Sequence, residues 1–116
     1  MASLKPDVEA LMALYKSDAM PKFTIRESSL IAKLAAKKLR VPTVAFVLGN
    51  TIYLHNVHAT AFLKNERWVK HELCHIKQFK RHGFLPFIVK YLIASLRSGY
   101  YKNKYEVEAR AAEHDY

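Results

Sequence analysis

The sequence predicts an α+β fold with one small antiparallel sheet. Two observations carry this. Val44–Leu48 and Thr51–His55 are short runs rich in β-branched and aromatic residues, separated only by Gly49-Asn50, the pattern of a tight hairpin. On either side, apolar residues recur at helical spacing instead of alternating. With only three Gly and four Pro in 116 residues, helices and strands are expected to dominate over loops.

The elements follow in the order α-α-β-β-α-α-α. Asp7 suits an N-cap for a short helix through Val8, Leu11, Met12 and Tyr15, which Pro21 breaks. Thr24 with Glu27 three residues on reads as a capping box. The helix behind it carries Leu30, Ile31, Leu34, Ala35 and Leu39 on one face and Lys33, Lys37 and Lys38 outside, and Pro42 stops it. After the hairpin, a loop through His58 and Thr60 leads to a long helix from about Leu63 to Arg81, ended by Gly83. Pro86 suits the first turn of another helix, which runs to Arg97 and ends at Gly99. Asn103 caps the last helix, through Glu106, Val107, Ala111 and Ala112.

A mass of 13.4 kDa fits a single domain over residues 1–116. Hydrophobic residues at 51% and charged residues at 25% exclude a disordered chain, a collagen-like fibre and a disulfide-stapled miniprotein. Cys74 is the only cysteine, so no intrachain disulfide forms and a reducing cytosol suits the chain. The N-terminal residues lack the apolar core of a signal peptide. Residues 83–96 are the most apolar stretch, interrupted by Lys90 and short of the ~20 residues of a bilayer span. A soluble, cytoplasmic protein is expected. Nineteen Lys and Arg against ten Asp and Glu give a net charge of +9. That excess favours nucleic acid, anionic membrane surfaces or acidic proteins without choosing among them.

One motif carries chemistry: His71-Glu72-Leu73-Cys74-His75, an H-E-x-x-H inside the long helix. Residues four apart project from one face, so both imidazoles can hold one Zn²⁺. Glu72, about 100° further round, reaches a water on that metal without being a ligand. Val69, Leu73 and Ile76 form the apolar stripe that docks this helix, and Lys70, Lys77 and Arg81 point away. The motif arises by chance in about 2% of chains of this composition, so its helical setting matters as much as its letters. Cys74 lies between the metal arc and the basic arc and reads as a packed small residue.

A zinc that keeps a reactive water needs a third protein ligand. A third His in H-E-x-x-H-x-x-G-x-x-H is absent: Gln78 and Arg81 hold those positions, and His82 is one residue out of place. The remaining source is a carboxylate from the last helix, among Glu106, Glu108 and Glu113. Asn103-x-x-Glu106 also reads as a capping pattern that would occupy Glu106. A second metal site at His55 and His58 is a minor alternative.

With Tyr105-Glu106-Val107-Glu108-Ala109-Arg110 following the H-E-x-x-H, residues 43–113 resemble the gluzincin metallopeptidases, and most closely minimal bacterial members. The resemblance implies a zincin-like arrangement, with the hairpin sheet over the active-site helix and a glutamate helix behind it. Glu106-Val107-Glu108-Ala109 is similar to the E-x-E-A-D of several branches, which implies Glu106 as the third ligand. Arg110 departs from the usual Asp. The implied set is His71, His75 and Glu106 on one Zn²⁺ per chain, with Glu72 as catalytic base. One of Tyr91, Tyr100, Tyr101, Tyr105 or His114 would stabilise an oxyanion, and Arg110 could orient Glu106.

The expected function is zinc-dependent hydrolysis of a peptide or protein substrate, weak or latent in so small a chain. The substrate would be bound as an extended strand on Val44–Leu48 or Thr51–His55. His114-Asp115-Tyr116 could fill the cleft and inhibit it. The rival is a zinc-stabilised basic module for nucleic acid or an acidic protein, which no nucleic-acid motif supports. A membrane-surface role for Phe84–Leu96 with Lys90 and Arg97 is set aside, because those apolar residues are expected to fill the core.

Overall fold

The computed structural model describes residues 6–15 and 22–114. Among them are helices α1 (Pro6–Ala13), α2 (Leu30–Leu39), α3 (Ala59–Lys64), α4 (Glu66–His82), α5 (Phe84–Lys102) and α6 (Lys104–Ala112), with strands β1 (Thr24–Arg26), β2 (Val44–Leu48) and β3 (Thr51–His55). The fold is α+β. The hairpin forms as expected: Leu48 pairs with Thr51, and Gly49 takes φ 63°, which the two-residue turn requires of its first position.

The sheet is mixed, not purely antiparallel. β1 pairs in parallel with β3 in the order β1-β3-β2. The capping box at Thr24 is therefore corrected. Thr24 Oγ1 and Thr51 Oγ1 hydrogen-bond across the strands at 2.9 Å, and Ser29 caps α2, its Oγ accepting from Ala32 N at 3.3 Å. Glu27 accepts from the Ala59 backbone N–H and so starts α3, where a loop was expected. A three-residue strand and a six-residue helix are too short for periodicity to reveal. Asp7 lies inside α1 and not before it. Pro21 falls outside the described residues.

Sheet order also settles the edges. β3 is central, so Thr51–His55 cannot receive a strand, whereas β2 has a free side among the described residues.

One sheet face and α4 enclose the main core, built on Ile25, Val47, Ile52, Leu54, Phe62, Val69, Leu73, Ile76, Phe79 and Phe87. α2 covers the other face, but not with its large apolar residues. Ala32 and Ala36 are buried against Val44, Phe46 and Tyr53, while Leu30, Ile31 and Leu34 are exposed. The short alanine side chains let the helix lie close on the strands, leaving the leucines turned outward. α5 differs similarly: only Phe87 is buried, and Leu85, Val89, Leu92, Ile93 and Leu96 are exposed. They do not fill the core. Gly99, at φ 79° and ψ 166°, breaks the helical run where its end was expected. No described helix is long and apolar enough to cross a membrane.

Candidate metal centre

α4 is started by Asn65, whose Oδ1 accepts from Trp68 N at 3.2 Å, and is held down by Val69, Leu73, Ile76 and Phe79. That docking turns Glu72 and His75 inward, to 5% and 7% exposure. His71 sits one turn earlier at the margin, its side chain 16% exposed. Asn103 starts α6 by accepting from Tyr105 N at 2.9 Å. Its amide is tied into α5, donating to Tyr91 O at 3.1 Å and to Ser95 Oγ at 2.8 Å. α6 is thereby fixed against α4, with Glu106 only 3% exposed.

His71, His75 and Glu106 converge. His71 Nε2 is 3.0 Å and His75 Nε2 3.1 Å from the same oxygen, Glu106 Oε1, and one ligand atom from each residue lies within 4.8 Å of the others. Ligand atoms around a tetrahedral zinc stand about 3.3 Å apart, given bonds of 2.0–2.1 Å.

The outer nitrogens decide what the inner ones present. Gln78 Nε2 donates to Glu108 Oε1 at 2.7 Å and to Tyr105 O at 3.1 Å. Its Oε1 must therefore be the atom 2.8 Å from His75 Nδ1, and it accepts that proton. Glu113 Oε2 accepts likewise from His71 Nδ1 at 2.9 Å. Both Nε2 atoms then face a carboxylate oxygen, and a neutral ring would offer it a lone pair. A proton on the ring or a metal ion shared by both rings resolves that conflict, and an acceptor on the far nitrogen is the usual support of a metal-bound histidine. The three residues can hold a metal ion.

The charges agree. Burial pulls the His71 and His75 imidazoles down, but the Glu106 hydrogen bonds and the carboxylates around them leave both raised above the ordinary value. Burial pushes Glu106 up, yet the two histidines and the Tyr91 hydroxyl, which donates to Oε2, hold its carboxyl far below the usual range. Glu72 goes the other way. Burial, with Glu106 and Glu113 adding to it against His75, raises it from 4.5 to about 8.

The other candidates fall outside the group. Glu108 is spent on Gln78 and lies 3.6 Å from Arg81. Glu113 touches the ring edge of His71 away from the centre. The capping role for Glu106 is corrected: its carboxylate turns to the histidines, and the Asn103 backbone N–H donates to Tyr100 O. Arg110 does not orient Glu106. It donates to Tyr101 O and lies 4.1 Å over that ring. His82 packs on Phe87 with ring centroids 5.8 Å apart, and His58 approaches Glu27 at 3.7 Å. Cys74 is half-buried, and burial with Glu108 pushes its thiol up to about 12. His114 is exposed, and Asp115 and Tyr116 lie outside the described residues.

Sequence reasoning missed Gln78 as the anchor of His75 and left Tyr91 undistinguished among the tyrosines. The first had a signal, since Gln78 stands three residues after His75 on the same helix face. The second had none: Tyr91 meets Glu106 only through tertiary packing. No family of known proteins, no curated protein and no solved structure matches the chain.

Proposed function

We propose that the protein is a zinc metallopeptidase in a zincin-like arrangement, with His71, His75 and Glu106 as ligands and Glu72 as general base. The observation that carries this is Glu72. A carboxyl only 5% exposed, whose burial raises it from 4.5 to about 8, costs stability once ionised. A structural metal has no use for it; hydrolysis does. A perturbed carboxyl beside a ligand-competent cluster is the mark of a reactive site.

Two nitrogens and a carboxylate form the donor set of zinc sites that keep a coordination position open. Zinc held by His71, His75 and Glu106 would supply Lewis acidity, acidifying a water toward a pKa of ~7 and polarising the scissile carbonyl. Glu72 takes the proton of the attacking water and passes it to the leaving amine. Tyr91 fixes the Glu106 carboxylate. Tyr100 is half-exposed, and its phenol is pushed up to about 12 by burial and by the charges of Glu106 and Glu72. It stays protonated and is the donor we assign to the developing oxyanion. The substrate lies as an extended strand along β2, the edge strand packed over α4.

The enclosure of the site favours a second reading, a zinc-stabilised basic module without catalysis, because closed sites are typically structural. Glu72→Gln separates the two. The variant is expected to keep about one zinc per chain and to lose turnover of an unstructured protein substrate about 100-fold or more. Wild-type turnover in the variant removes Glu72 as base. A wild-type protein that binds zinc tightly and cleaves nothing establishes the second reading, and one that takes up no zinc after reconstitution removes both.

A further inference from the structure

We infer that the outer face of α5 docks the protein onto an anionic lipid surface, as an interfacial helix lying in the membrane plane. The apolar residues of this helix are sorted by angle. At 100° per residue, Leu85, Val89, Leu92, Ile93 and Leu96 fall within an arc of about 100°. Phe87, the one buried residue of the helix, lies opposite the middle of that arc. The arc faces solvent, with Leu85 68%, Leu92 55% and Leu96 87% exposed. Apolar strips of this kind mark interaction surfaces when cations border them. Lys90 and Arg97 stand together roughly 100° from the midline of the strip, and both are exposed. Past the break at Gly99 the helix continues with exposed Tyr101 and Lys102. Aromatic and basic residues are the ones that anchor at the headgroup level.

Charge identifies the occupant. Between Glu72 and Glu106 the chain has seven Lys and Arg and no Asp or Glu. A second copy packed on this face would set Lys90, Arg97 and Lys102 against their own counterparts, with no carboxylate on α5 to answer them. An anionic bilayer meets both the apolar strip and the cations. At the start of the helix, exposed Phe84 also lines a groove of about 340 Å³ that carries Lys22 and Lys80, which continues the same chemistry. The inner side of the helix holds Tyr91 against Glu106, so lipid docking brings the metal centre to the membrane surface.

The test is co-sedimentation of the full chain with vesicles of phosphatidylcholine alone and of phosphatidylcholine with phosphatidylserine. Binding is expected to the phosphatidylserine vesicles, weakening as salt is raised. Lys90→Ala and Arg97→Ala should each lower the partition coefficient about fivefold. Leu92→Glu/Leu96→Glu should abolish binding with the circular dichroism unchanged, since both side chains are exposed. Leu34→Glu, on the equally basic but separate α2, should leave binding as in the wild type. The inference is overturned if the wild type ignores phosphatidylserine vesicles at low salt, or if the double variant binds as well as the wild type. It is also overturned if Leu34→Glu is the change that abolishes binding, or if the wild type is a dimer that Leu96→Glu dissociates and that binds no vesicles.

Discussion

Glu72→Gln should stabilise the metal-free protein, and the gain should grow with pH. The Glu72 carboxyl is raised from 4.5 to about 8 in the folded chain, chiefly by burial. Between those values the unfolded chain has released this proton and the folded chain still holds it. Stability therefore falls as pH rises through that window, by about 1.4 kcal/mol per unit at its steepest. By pH 7 the accumulated loss is about 3 kcal/mol. Below pH 4 both states are protonated and the loss vanishes. Gln has nearly the same shape and no proton to lose. Urea unfolding of both proteins after chelation, at pH steps from 4 to 8, gives the difference directly. It should be near zero at the acid end and about 3 kcal/mol in favour of the variant at pH 7. Zinc should shrink the difference, because a bound cation favours the carboxylate. A constant offset at every pH, or a variant less stable at pH 7, would refute the account of Glu72 as an acid held up chiefly by burial.

Glu106→Gln should lower zinc affinity far more than Glu108→Gln, because only Glu106 lies against both imidazoles; competition with a chelator measures the order, and the reverse order moves the site. Gln78→Ala should weaken zinc binding about 10–100-fold although Gln78 is not a ligand, by freeing His75 Nδ1; unchanged affinity removes it as the anchor. Ala36→Leu should cost about 1–3 kcal/mol by overpacking the α2–sheet contact, whereas Leu34→Ala, 60% exposed, should stay within about 0.5 kcal/mol; thermal unfolding distinguishes them.

Local chemistry determined a good part of this protein. The hairpin followed from Gly49-Asn50, because a two-residue turn is specified by its own residues. The H-E-x-x-H followed from helical spacing, which places His71 and His75 on one face wherever the helix sits, and Asn103 capped α6 as its side chain dictates. The tertiary structure decided the rest, for lack of any local signal. Glu106, Glu108 and Glu113 are alike in sequence, and only the docking of α6 on α4 gave the first to the Nε2 atoms of His71 and His75, the second to Gln78 and the third to His71 Nδ1. β1 exists through pairing with β3, since three residues carry no pattern of their own. The two amphipathic helices show the limit most plainly. A stripe of leucines says that a face is apolar, not what covers it. On α2 the alanines took the sheet, and on α5 Phe87 took the core. The larger apolar faces were left outward because close approach to a sheet or a helix rewards the residues that fit the gap, not those with the most hydrophobic area.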